Sequence, residues 1–243
     1  MRMLTFFNRT TKEILRDPLN VAFGIGFPLV ILVLLSAIQA NIPVRLFEID
    51  RLIPGISVFG LSFMTLYSAI LIAKDRSSSF IQRLYTTPLT ASDYILGYVL
   101  PILPIALAQS VICYISALFL GLEITVNIVY AILFVIPIAL FFIALGLLFG
   151  SIFNDKQVGG ICGALLTNLA AWLSGAWFDL DLVGGLFKKI AYALPYVHAV
   201  ELGRAVLGGN FEAIFPHLWW VLGYACLTVI IAILVFTRKM RKD

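Results

Sequence analysis

Acid–base, nucleophilic and metal chemistry all need side chains gathered at one place, and this sequence offers few. Its 243 residues include two histidines, His198 and His217, and three cysteines, Cys113, Cys162 and Cys226. Two histidines are too few for a zinc centre of three or four ligands. Each reads as an interfacial side chain. The cysteines sit in apolar runs and read as small core residues, with no spacing of a disulfide framework or metal set. No GxxxxGK[ST] occurs, so the chain has no P-loop to cradle ATP phosphates. No acid, base and nucleophile cluster in the sequence, which argues against a membrane enzyme.

The elements that must carry these residues are apolar. The chain is 61% hydrophobic and 12% charged, with a mean hydropathy of +1.03. A soluble domain carries about 25% charged residues, so an integral membrane protein is the class that fits. The net charge of +4 gives no reason to expect a nucleic-acid partner. A membrane-crossing helix needs about 20 apolar residues. Six segments qualify: 21–38, 53–73, 95–120, 126–149, 158–178 and 216–237. The segment before the first is too long, and the run itself too wide, for a secretory signal. None of the six holds an Asp, Glu, Lys or Arg, whereas ion-coupled transporters and pumps place ionisable groups in the membrane. The second holds Ser57, Ser62, Thr65, Tyr67 and Ser68, and the fifth Thr167, Asn168 and Ser174. Asn168 reads equally as a cavity-lining amide or as a helix–helix hydrogen bond. Gly146/Gly150 and Gly159/Gly163 have the GxxxG spacing that allows close helix approach. With the N-terminus in the cytoplasm, 12 of the 17 Lys and Arg fall inside and 5 outside, which predicts cytoplasmic termini.

Three segments do not fit a simple span-and-loop pattern. In 1–18, Met3, Phe6, Phe7, Thr10 and Ile14 line one side with Arg9, Lys12, Glu13 and Arg16 around them. This predicts an amphipathic helix in the membrane interface, ended by Pro18. Between the fifth and sixth spans, 179–215 predicts two short apolar helices, 182–194 and 197–207, split near Pro195. Each is too short to cross, so they lie at the outer surface or dip in against protein. Glu201 and Arg204 are spaced to pair. The third segment is DRSSSFIQRLYTTPLTASDY, residues 75–94. Phe80, Ile81, Leu84 and Tyr85 fall on one helical face at i, i+3 and i+4. A loop that only joins two spans has no use for an apolar face, so a partner is expected to dock there.

Nearly the whole chain resembles the permease subunit of ABC-2 type exporters, the small six-span group that includes bacterial drug and antibiotic efflux permeases. RTTKEILRDPLNVAFGIGFPLVILVLL is similar to the family's interface helix running into span one. KDRSSSFIQRLYTTPLTASDYILGYVL is similar to its first cytoplasmic loop, with an acidic-Arg pair, a small residue, Arg-Leu and a Pro. LGLLFGSIFNDKQVGGICGALL is similar to spans four and five, and LSGAWFDLDLVGGLFKKIAYALPYVHAVELGRAVL to the Ser-Gly motif and outer helices. Two departures stand out: Ser77, Ser78 and Ser79 follow Asp75-Arg76 where the family often has a glycine, and Asp179 follows Phe178 where it often has a proline.

The resemblance implies a single all-α transmembrane domain over 1–243, in the cell membrane, whose loop 75–94 is a coupling helix inserted into a separate ATP-binding subunit. Its coupling residues are then Asp75, Arg76, Phe80, Ile81, Arg83, Leu84, Tyr85 and Pro88, with Arg9, Glu13 and Arg16 bracing the same partner. ATP and Mg²⁺ are expected on that subunit, and no cofactor on this chain. A second permease copy, identical or related, is expected to complete the path, lined by Phe63, Tyr67, Asn168 and Trp172. The implied cargo is a hydrophobic or amphipathic drug, antibiotic, lipid or peptide. A glycan-lipid cargo stays open, as does a non-transporting membrane sensor or immunity protein.

Overall fold

The computed structural model describes residues 2–43, 46–78 and 91–240. Among these described residues, five helices are long and apolar enough to cross a membrane. They are α2 (Pro18–Gln39), α3 (Ile49–Ser77), α4 (Ala91–Phe119), α5 (Asn127–Ile152) and α10 (Phe211–Met240). α1 (Arg2–Leu15) precedes them. Asp17 caps the start of α2 by accepting from the Asn20 N–H, and Pro18 sits in its first turn, where the missing proline N–H costs nothing.

The expected fifth span is a run of helical turns that changes register twice. A short α6 (Asp155–Val158) carries a capping box, Asn154 with Gln157. It passes into a π-helical stretch, Gly159–Leu166, and then into α7 (Thr167–Leu173). Three glycines in GGICGALL weaken the α register, and the Thr167 hydroxyl donates to the Cys162 carbonyl at 2.9 Å. The run stops at Leu173 because the Ser174 hydroxyl takes up the Ala171 carbonyl and Gly175 turns the chain at φ +67°.

α3 is the central helix: 78% of its most apolar window is buried, against 17% for α2 and 22% for α10. Its small polar residues serve as interhelical bonds. Ser57 bonds Ser110 of α4 at 2.9 Å, Thr65 donates to the Phe142 carbonyl of α5 at 2.8 Å, and Ser68 reaches the Ile143 carbonyl at 3.3 Å. α3 and α5 approach closely where Gly146 and Gly150 lie. A β-carbon on Gly146 would stand 1.8 Å from the Ser68 hydroxyl, and one on Gly150 2.6 Å from the Ala69 carbonyl. A β-carbon on Gly159 would meet nothing within 4 Å and one on Gly163 only the Leu66 side chain, from 3.3 Å, so the close backbone approach is at the first GxxxG.

At the other end of α3, the outer segment does not begin as the sequence predicts. A 3₁₀ turn, Leu180–Leu182, is followed by Gly184 and Gly185, both at positive φ, which delay α8 to Gly185–Ala193. α9 (Pro195–Leu207) begins at Pro195 and is buried along most of its length. Glu201 and Arg204 pair at 2.8 Å. Arg204 also donates to the Arg51 carbonyl at 3.2 Å and the Gly175 carbonyl at 2.9 Å, so one side chain holds α9 to α3 and to the Ser-Gly turn.

Candidate functional site: a clamped helix end and an aromatic cavity

Two features converge on α3. The first is at its C-terminal end, where the 79–90 segment departs. Asp75 is 2% exposed, and a buried carboxylate needs a partner. Arg9 of α1 meets it with both terminal nitrogens, and the Tyr98 hydroxyl of α4 donates to it. Arg9 also pairs with Glu13 one turn on, at 2.7 Å. Burial, and then the nearby Asp75 charge, raises the Glu13 pKa. The next residue points elsewhere: Arg76 donates to the Gly150 carbonyl at 2.8 Å and the Phe153 carbonyl at 3.3 Å. A cation on the last carbonyls of α5 is favourable both as a hydrogen bond and against the helix dipole.

α1 is held by shape as well as charge. Phe6, Thr10 and Ile14 are its buried stripe, at i, i+4 and i+8. Phe6 packs on Tyr94 and Tyr98 of α4 with ring centroids 6.0 and 5.0 Å away. Gly97 makes room, since a β-carbon there would stand 1.9 Å from the Phe6 ring. Tyr67 of α3 donates to the Ile14 carbonyl at 3.3 Å. The Phe6, Thr10 and Ile14 stripe of α1 is therefore against protein. Met3 and Phe7 are half-buried, and Arg16 is exposed at the helix end.

The second feature is a cavity of about 600 Å³ between α2, α3 and the π–α7 run, within the usual range for small-molecule sites. Phe23, Phe27 and Ile31 form one wall, Phe59 and Phe63 the second, and Thr167, Asn168 and Trp172 the third; Trp177 and Phe178 come from the Ser-Gly turn. The rings pack on one another, with Phe27–Phe63 centroids 5.7 Å apart and Phe59–Trp177 5.1 Å. Among the described residues, none lining the cavity is charged. Asn168 donates to the Ala164 carbonyl one turn back in its own helical run, at 2.7 Å.

The structure thus brings Phe63, Asn168 and Trp172 to one cavity. Tyr67 lines a smaller neighbouring space of about 200 Å³ with Phe63, its hydroxyl bound to α1. Asp75, Arg9 and Glu13 come together at the clamp, with Arg76 beside it. Phe80, Ile81, Arg83, Leu84, Tyr85 and Pro88 lie outside the described residues. Sequence reasoning missed the pairing of Arg9 with Asp75, Tyr98 as Asp75's second partner, the Phe23 and Phe27 wall, and Arg204 as the link to the Ser-Gly turn. No cluster of three potential metal ligands occurs among the described residues.

A comparison with curated proteins gave no match. The model of the ABC-2 type transporter family matches residues 1–207, a range that contains both the clamp and the cavity. Membrane-spanning apolar helices around a charge-free cavity, in a chain matched over most of its length, establish that this protein belongs to the ABC-2 type transporter family.

Proposed function

We propose that this membrane-embedded ABC-2 permease subunit forms the path of an ATP-driven exporter, built from two permease copies and two ATP-binding subunits. In this reading the π–α7 run completes a set of six spans, and both termini face the cytoplasm. The 79–90 segment then enters the ATP-binding subunit, with Phe80, Ile81, Leu84 and Tyr85 as its apolar contact and Arg83 at the rim. ATP and Mg²⁺ bind on that partner, and hydrolysis takes place there.

The observation that carries the reading is the clamp. Consecutive residues, Asp75 and Arg76, fasten the end of α3 to α1, α4 and α5 at the root of that segment. A connecting loop gains nothing from such a root. A lever does, because a push on the segment then reaches α3, which forms one wall of the cavity. The charge-free aromatic lining favours a hydrophobic or amphipathic cargo over a bare ion, since it offers no counter-charge to replace hydration.

The reading is tested in inverted vesicles that contain the permease and its candidate ATPase. ATP-dependent uptake of a lipophilic dye is expected, falling at least about tenfold in Phe63→Ala/Trp172→Ala if aromatic contacts carry about 1.4 kcal/mol or more. Permease-stimulated ATP hydrolysis without uptake of any apolar probe would point to a different cargo, such as a glycan-lipid. No stimulation at all would sink the exporter reading.

A further inference from the structure

The only two histidines of the chain meet at the end of the bundle opposite the clamp, outside the site described above. His198 of α9 is buried and His217 of α10 half-buried. Their Nδ1 atoms are 2.9 Å apart and their ring centroids 5.2 Å apart. The centroid separation is the nitrogen gap plus two ring radii, so the nitrogens meet head on. That is the geometry of a hydrogen bond, whereas two ligands of one metal ion would converge at an angle.

The tautomers follow from the next contact. His198 Nε2 lies 3.0 Å from the Tyr192 carbonyl, which can only accept, so Nε2 carries a hydrogen. Neutral His198 then offers a lone pair at Nδ1, and the hydrogen between the rings belongs to His217 Nδ1. Trp220 of α10 stacks on His198 at 4.7 Å, and the Tyr224 hydroxyl donates to the Ala193 carbonyl at 2.7 Å. α10 thus holds two adjacent carbonyls at the end of α8, one directly and one through His198.

We propose that His198 and His217 form a proton-binding clasp, which holds α8 and α9 on α10 when it carries up to one extra proton and releases them when it carries two. The first added proton goes to His217 Nε2, which leaves the bridge between the rings in place. The second must go to His198 Nδ1. Two N–H groups then face each other, and the bond is lost.

Charged and polar groups around the pair set the balance. Glu201 on α9 favours a charged ring, although it is paired with Arg204. The Trp220 face favours a charged ring too. Lys188 on α8 is drawn off to Asp181 and sits 5.6 Å over the Tyr192 ring. Tyr192 and Tyr224 contribute neutral hydroxyls. Burial outweighs these and lowers the His198 pKa below its ordinary value. A lowered histidine pKa makes the docked state fully stable above the unfolded value of about 6.5 and weaker as the pH falls through the folded one. α9 also holds the Gly175 turn through Arg204, so an α9 that shifts off α10 carries with it that turn and the cavity wall of Trp177 and Phe178. That last consequence rests on the permease reading; the clasp does not.

The test uses full-length protein without a histidine tag in lipid nanodiscs, with ¹⁵N-labelled histidine. Two ring systems give an unambiguous spectrum. At neutral pH one ring should be the Nε2–H tautomer and the other the Nδ1–H tautomer, coupled to each other. In a background lacking Cys113, Cys162 and Cys226, spin labels at Lys189→Cys and Glu212→Cys should separate between about pH 8 and about pH 4, a span that reaches well below the ordinary histidine pKa. In His217→Gln the amide can donate to neutral His198 or accept from the protonated ring, so the distance should stay constant. Two rings titrating independently near the ordinary value would overturn the clasp, as would separation that persists in His217→Gln. Neither readout involves cargo or ATPase, so failure here is distinct from failure of the exporter reading.

Discussion

At the scale of single residues, Arg9 and Asp75 are not equivalent partners. Asp75 is buried, while the Arg9 side chain is about a third exposed. Removing Arg9 leaves a buried carboxylate supported, among the described residues, by Tyr98 alone; removing the charge of Asp75 leaves a guanidinium that can reach water. Arg9→Ala should therefore cost about 3 kcal/mol and Asp75→Asn about 1 kcal/mol, an ordering that thermal unfolding in detergent would read. Glu13 behaves oppositely. Its pKa is raised by burial and then by Asp75, so its favourable contribution is present below the unfolded value of about 4.3 and lost as the pH rises through the folded one. Glu13→Gln should leave stability unchanged or raise it by less than about 1 kcal/mol at neutral pH, with the difference shrinking toward about pH 4. Melting curves of both proteins across that range would check it.

At the scale of elements, the α3–α5 contact and the π stretch give opposite expectations for the same substitution. Gly146→Ala forces α3 and α5 apart at Ser68 and the Thr65 carbonyl and should cost about 1–3 kcal/mol. Gly159→Ala meets nothing and should be neutral or gain up to about 1 kcal/mol from helix propensity. Chemical or thermal unfolding of the pair distinguishes them. The sequence shows both glycine pairs but not which one faces a neighbour, because GxxxG encodes spacing and not partner. The long apolar runs were legible because their length answers to the membrane alone. The π register was not, since it differs from α only in which carbonyl each N–H chooses. Asp75 was visible as a polar residue at a span end, but its partner Arg9 lies 66 positions away; nothing local announces that pairing. Phe63, Asn168 and Trp172 were legible as span residues, whereas Phe23 and Phe27 join them only through the packing of α2 on α3.

At the scale of the whole molecule, the proposed orientation places α8 and α9 outside the cell and the clamp inside. In a background lacking Cys113, Cys162 and Cys226, an impermeant thiol reagent should label Lys188→Cys in intact cells. It should label Lys156→Cys only after permeabilisation. The reverse pattern would invert the topology and move the proton clasp to the cytoplasmic side. The clamp gives this architecture a mechanical logic: α1, α3, α4 and α5 are tied together where the 79–90 segment leaves, and α3 runs from there to the aromatic cavity and on to α9.

The central claim is that this segment receives the ATP-driven push, and co-purification with the candidate ATPase tests it most directly. Wild-type permease should retain the ATPase through affinity capture, and Arg83→Glu/Leu84→Asp should lose it while keeping the wild-type melting temperature and its own membrane insertion. Retention of the ATPase by that variant, with stimulation of hydrolysis unchanged, would contradict the account.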